Sequence, residues 1–221
     1  MRRRLAEISD LLICVLLTGA AISLLYSNQM KSAEAIATLV GALFGSAALL
    51  LGNWISRWNE RSRAREDMAQ RISKLRILIA AELVNVAAGL ISAKGLMDAA
   101  VATARSGGAL PEHQDFAQYI PRSMPFTDDL GSDLAMLAQR DIDVLATLRS
   151  NLAITRMTMD QVTLGRERFG LLTAQRLKQG LGHDMTILKR AFQQFAPDRK
   201  LALNGNDPEL ATTILDRLAG G

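Results

Sequence analysis

The chain is poor in the residues that staple a fold or hold a metal. It has one cysteine, Cys14, and two histidines, His113 and His183. A single cysteine excludes an intramolecular disulfide framework. So few thiols and imidazoles also argue against a four-ligand structural zinc site. Cys14 lies in an apolar run with no basic neighbour to stabilise a thiolate, and reads as a packing residue. Aromatic residues make up only 5% of the chain, there are five prolines, and no run alternates Val, Ile and Thr. Strands are not expected. The abundant Ala and Leu favour helix, so the fold class is all-α. The hydrophobic share of 49% excludes a disordered chain, and 221 residues allow one or two domains.

Catalytic signatures are missing as well. The sequence contains no G-x-x-x-x-G-K, no G-x-G-x-x-G and no G-x-S-x-G. Adjacent carboxylates at Asp128 and Asp129, and the Asp141–Asp143 pair, read as solvated charge, because helix residues two apart do not share a face. Arg166 and Arg168 read as a wet helix end. His183 and Asp184 are adjacent in "LGHDMTIL" and resemble the metal-binding pair of the all-helical HD phosphohydrolases. That resemblance implies a second His upstream and an Asp downstream, nominally His113 and Asp216. His113 falls 70 residues upstream in a proline-rich loop, where the family pattern needs a helix of the core. The pair reads instead as a helix-surface His beside a capping Asp. No catalytic, cofactor-binding or metal-binding residues are assigned, and no cofactor is expected.

What is present is charge of uneven location. Residues 1–100 hold twelve basic and eight acidic side chains; residues 101–221 hold fourteen of each. A nucleic-acid binder would concentrate its basic excess in the soluble part, so nucleic acid is not an expected partner. Here the excess flanks two apolar segments.

The second of these, Ala35 to Ile55, runs 21 residues without a charge, close to the roughly 20 needed to span a bilayer. Trp54 and Trp58 follow on one helix face, at the depth aromatic belts occupy. Arg57, just before Trp58, and Arg61, just after it, are placed beside anionic headgroups. These four residues are the expected interfacial anchors. The first segment, about 8–26, is expected to be a second span, since Glu7 and Asp10 spoil a signal-peptide n-region. Arg2, Arg3 and Arg4 precede it, and seven basic residues lie in Ser56–Arg76, against one lysine in the connector Ser27–Glu34. The positive-inside rule places both termini in the cytoplasm. The expected location is the inner (plasma) membrane, multi-pass. Ala37, Gly41 and Gly45 form a small-xxx-small series suited to close helix packing in lipid, within the chain or between copies.

Residues 1–58 are therefore expected to form a membrane hairpin, and 59–221 a cytoplasmic helical domain. The second span should continue as a long connecting helix with an apolar face at Met68, Ile72, Leu75, Ile79, Leu83, Val86 and Leu90, stopping at "SGG", Ser106–Gly108. Ile77–Ile91 is very apolar but carries Glu82 and Asn85; it reads as a buried bundle helix, with a third span as the alternative. A proline-rich loop follows at about 105–129, its Phe116, Tyr119 and Phe126 packing onto the bundle. A helix of about 35 residues should start at Thr127 in "TDDL". Another carries Phe169, Leu172, Leu177, Leu181, Leu188, Phe192 and Phe195, weakened at Gly180 and Gly182. A last one starts at Asp207 and Pro208. Together they make an antiparallel bundle.

The expected function is that of a non-enzymatic integral membrane protein whose cytoplasmic bundle self-associates or docks a protein partner, with the lipid bilayer and a second copy as its partners. The alternative is a homo-oligomeric channel or pore-forming effector gated by the bundle. Thr18, Ser23, Thr38, Ser46 and Asn53 would be the polar groups of such a pore. An enzyme working through His183 and Asp184 is a third reading.

Overall fold

The computed structural model describes residues 12–13, 15–20, 22–23, 33–110, 113–121, 123–202 and 207–220, and they are mostly helical. Cys14, the basic amino end and the connector 27–32 lie outside the described residues. The described parts of the first apolar segment are helical. The chain divides into two compact units, Met1–Gln70 and Arg71–Gly221.

Helix α1, Ala33–Arg105, contributes to both. Among the described residues it is the one helix long and apolar enough to cross a membrane. Its end is encoded by Gly107, whose φ of 77° suits glycine. Gly107 N–H donates to Ala104 O at 3.3 Å and Gly108 N–H to Thr103 O at 3.0 Å, the two bonds of a Schellman motif. The stop expected at "SGG" is where the helix ends.

In the first unit the apolar side chains of α1 face outward. Phe44, Leu49, Leu51, Ile55 and Trp58 are exposed, while Ala47 is buried. In the second unit they face inward. Leu75, Ile79, Leu83, Val86 and Leu90 are buried on one stripe, continued by Ala93, Met97 and Val101. Ile77–Ile91 thus supplies the centre of this core. Met68, expected on the same face, is exposed.

The segment after α1 folds into short helices. A 3-10 helix covers His113–Tyr119, and α2 covers Pro125–Asp129. Phe116 is fully buried, 4.3 Å from the Phe169 ring centre. Phe126, expected to pack, is 55% exposed. The helix expected from Thr127 is not continuous. A 3-10 turn at Gly131–Met136 intervenes, entered through Gly131 at φ 42°, and α3 runs Gln139–Thr163. Thr127 is no N-cap; it lies inside α2 and is buried. On α3, Leu145, Leu148, Leu152, Thr155, Met159 and Val162 are buried at the expected spacing.

Helix α4, Leu171–Phe195, is unbroken across Gly180 and Gly182. Gly182 is buried for a reason: a β-carbon there would stand 3.3 Å from Ala219 O. The missing side chain admits the backbone of α5, Ala211–Ala219, whose Ala211, Ile214 and Leu215 complete the core. Leu172 is instead 78% exposed. Two corrections fall at the end of the chain. Strands β1, Lys200–Leu201, and β2, Glu209–Leu210, form a two-residue antiparallel ladder that composition gave no hint of. That ladder and the Ala211 N–H to Arg199 O bond of 2.8 Å take up the backbone groups ahead of α5. The helix starts after Leu210, not at Asp207 and Pro208.

Candidate functional site

One polar cluster of the second unit lies where the 123–128 segment meets α1 and α3. Glu82, only 2% exposed, is the anchor. Its carboxylate accepts the N–H of Phe126 at 2.8 Å, the N–H of Thr127 at 3.1 Å, and the Thr127 hydroxyl. First-turn N–H groups have no partner inside their own helix, and Met124 offers α2 no side-chain cap. A carboxylate from α1 does that work. Asp128 of the same segment pairs with Arg149 of α3.

Beside these fasteners lie two adjoining clefts. The first, about 450 Å³, is walled by Ser123 and Asp128 on one side and by Arg149 and Arg156 on the other. Arg149 and Arg156 are seven residues apart, two turns along one face of α3. The small side chains of Ala146, Ser150 and Ala153 leave the hollow between them. The second cleft, about 580 Å³, shares Ser123 and Arg156 and adds Asn85, Phe126 and Asp160. Arg156 thus stands at the junction. Its Nε is buried and has no hydrogen-bond partner among the described residues. Both volumes fall in the range of small-molecule sites, roughly 300–1,000 Å³.

Three further polar clusters are structural. Asp141, read from sequence as solvated, is buried at 2% exposure; it accepts from Gln194 at 2.5 Å and pairs with Arg76 at 3.1 Å. Asp143 stays exposed, held by Gln139 at 2.8 Å. Lys94 is buried and donates to Asp98 at 2.8 Å, and Lys178 reaches the same carboxylate at 3.0 Å. Burial pushes the Asp98 carboxyl up, but the two lysines outweigh it and hold it below the usual range. Asp184 takes the Thr155 hydroxyl at 2.5 Å across α3 and α4. Its burial raises the carboxyl above the usual range, against the pull of Thr155 and of His183.

That geometry separates the His183–Asp184 pair. Asp184 is buried in mid-helix and is not a cap, while His183 faces outward. Asp216 pairs with Lys189 at 2.6 Å. Among the described residues, no three His, Cys, Asp or Glu side chains come together as metal ligands.

The residues singled out in the apolar helix lie in the first unit. Ala37, Gly41 and Gly45 are exposed, and a methyl added at either glycine would meet nothing within 4 Å. Trp54 and Trp58 stack with ring centres 5.7 Å apart; Arg57, between them, and Arg61, three residues beyond, are exposed. Arg149 and Arg156 were not legible as a site. Their seven-residue spacing was the available signal, and it needed Ser123 opposite to become a cleft. No protein family, curated protein or solved structure matches the chain.

Proposed function

We propose that this chain is a non-enzymatic membrane protein of the inner membrane, spanning the bilayer at about 8–26 and 35–55 with both termini cytoplasmic, whose helical unit self-associates. The outward-facing apolar side chains of the first unit support the membrane part: Leu49 is 73% exposed and Ile55 50%. Lipid would solvate such side chains; water would not. The observation that carries the association is a stripe on α3. Ile154 and Met157 are 58% and 60% exposed one turn apart on α3, and Leu164, just past its end, is 63% exposed. Large apolar side chains left open on a folded unit are what a contact surface would cover. Lack of a nucleophile, phosphate or dinucleotide motif, together with the burial of Asp184 beside an exposed His183, supports a non-enzymatic role. A pore lining finds less support, because the Ser46 hydroxyl already bonds Ala42 O at 2.8 Å within its own helix.

The test is the native mass of the detergent-solubilised chain, with detergent subtracted, beside an I154S/M157S/L164S variant. The expected result is an oligomer that the variant reduces to a monomer, at unchanged helical content. A monomeric parent would overturn self-association. An assembly of four or more copies that also leaks ions from vesicles would replace this reading with the channel.

A further inference from the structure

We infer that one face of α1, carrying Trp54, Arg57, Trp58, Arg61 and Arg65, is a recognition surface for anionic phospholipid, which it gathers beside itself in preference to zwitterionic lipid. The inference rests on the membrane reading above and adds to it the class of lipid.

Helical spacing builds the face. Residues 54–65 lie inside one unbroken helix. At roughly 100° per residue, Trp54, Arg57, Trp58 and Arg65 all project within about 60° of Arg61. The three arginines recur every four residues, and Arg57 and Arg61 each follow a tryptophan by three. The acids of this stretch, Glu60, Glu66 and Asp67, project roughly 100–140° away from Arg61. Glu60 stands three residues after Arg57, at the edge of the face. Arg65 has Arg61, Ser62, Met68 and Ala69 at three and four residues to either side, and none of these is an acid. Like charges four residues apart disfavour a helix. A layer of anions beside the row turns that repulsion into attraction.

The tryptophans set the depth. They stack with ring centres 5.7 Å apart, and Trp58 is 56% exposed. Such amphipathic rings favour the headgroup level, here at the end of the uncharged stretch Ala35–Ile55. Arg57, Arg61 and Arg65 are all exposed. They stand about 3, 9 and 15 Å beyond Ile55 along the axis, at 1.5 Å per residue. Side chains on a helix lean toward its N-terminus, which here is the membrane side. The headgroup layer is roughly 5–8 Å deep. Arg57 and Arg61 therefore reach it, and Arg65 lies within a Debye length of it, about 8 Å at physiological salt. A guanidinium grips a phosphate through paired N–H donors. Phosphatidylcholine offers that phosphate with a cationic choline attached; an anionic lipid offers it without one. Three arginines in a row make that difference a preference.

The chain has two tryptophans and both are on this face, so their fluorescence reports on it alone. The test reconstitutes the full chain in phosphatidylcholine vesicles doped with brominated phosphatidylglycerol or, at the same mole fraction, brominated phosphatidylcholine. Bromine quenches a nearby tryptophan. Phosphatidylglycerol is expected to quench as if concentrated about threefold or more around the helix. R65Q should cut that enrichment by about twofold. R63Q, nearer the apolar stretch but on the far side of the helix, should leave it unchanged. R57Q/R61Q/R65Q should abolish it, with quenching by phosphatidylcholine and circular dichroism unaltered. Added salt should weaken it in the parent. Equal quenching by the two lipids in the parent, or an R63Q effect as large as that of R65Q, would overturn the inference and leave membrane insertion standing. Quenching by neither lipid would overturn the membrane reading, and the inference with it.

Discussion

Two stretches of α1 have similar apolar side chains and treat them oppositely. Along residues 40–58, Phe44, Leu49 and Ile55 stand exposed; along 75–101, Leu83, Val86 and Leu90 are fully buried. Hydrophobicity alone does not decide between the two. The interruptions do. Ala35–Ile55 has no charged residue, whereas Ile77–Ile91 contains Glu82. A buried carboxylate persists only where donors reach it, and the second unit brings it three from Phe126 and Thr127. An acid within an apolar helix marks a place where another part of the chain must come.

The sharpest way to break the comparison is to make one truncation in each stretch. Leu90→Ala should lower the unfolding free energy of the second unit by about 3 kcal/mol, through lost burial and a residual cavity. Leu49→Ala should leave that unfolding unchanged, read by denaturant titration of the detergent-solubilised chain. Equal losses would show that both stretches sit in one protein core. Next in size is Glu82→Ala, expected to cost about 2 kcal/mol because the N–H groups of Phe126 and Thr127 lose their acceptor. Hydrogen exchange at those two amides should speed up before any change appears on α4. A uniform response along the chain would mean that Glu82 supports the whole core and not the 123–128 segment alone.

The smallest effect concerns pH. Asp184 is held above the ordinary carboxylate range by burial, so its folded value exceeds its unfolded one. Its favourable contribution is complete at low pH and is lost as pH rises through the folded value. Asp184→Asn removes that loss. The melting temperature of the parent minus that of the variant should therefore fall as pH rises from the ordinary carboxylate range through the raised folded value. A difference that rises with pH would mean that Asp184 is stabilised as a charge.

Much of the helical pattern was legible in the sequence. The stop at Gly107 and Gly108, the stripe from Leu75 to Leu90 and the buried face from Leu145 to Val162 all follow from spacing and glycine placement. What spacing could not show is what a residue meets from another element. Thr127 has the chemistry of a cap, yet Glu82, 45 residues earlier, uses its hydroxyl and N–H. Asp141 and Asp143 look alike in sequence, and only the arrival of Arg76 and Gln194 makes one of them a core residue. Arg149 and Arg156 line a cleft for the same reason: the opposite wall, at Ser123, comes from a segment that local periodicity does not place.

The seat of α5 over Gly182 has a consequence for the order in which the molecule is made. Domains fold as units during synthesis. The second unit cannot close its core until residues 211–219 have left the ribosome, since Ile214 and Leu215 are among its buried side chains. Until then the small-residue face of α4 around Gly182 is open to water. A nascent chain paused before residue 211 would already hold the apolar stretch 35–55 while its second unit was still unfinished. Commitment of the first unit to its solvent would thus precede completion of the second.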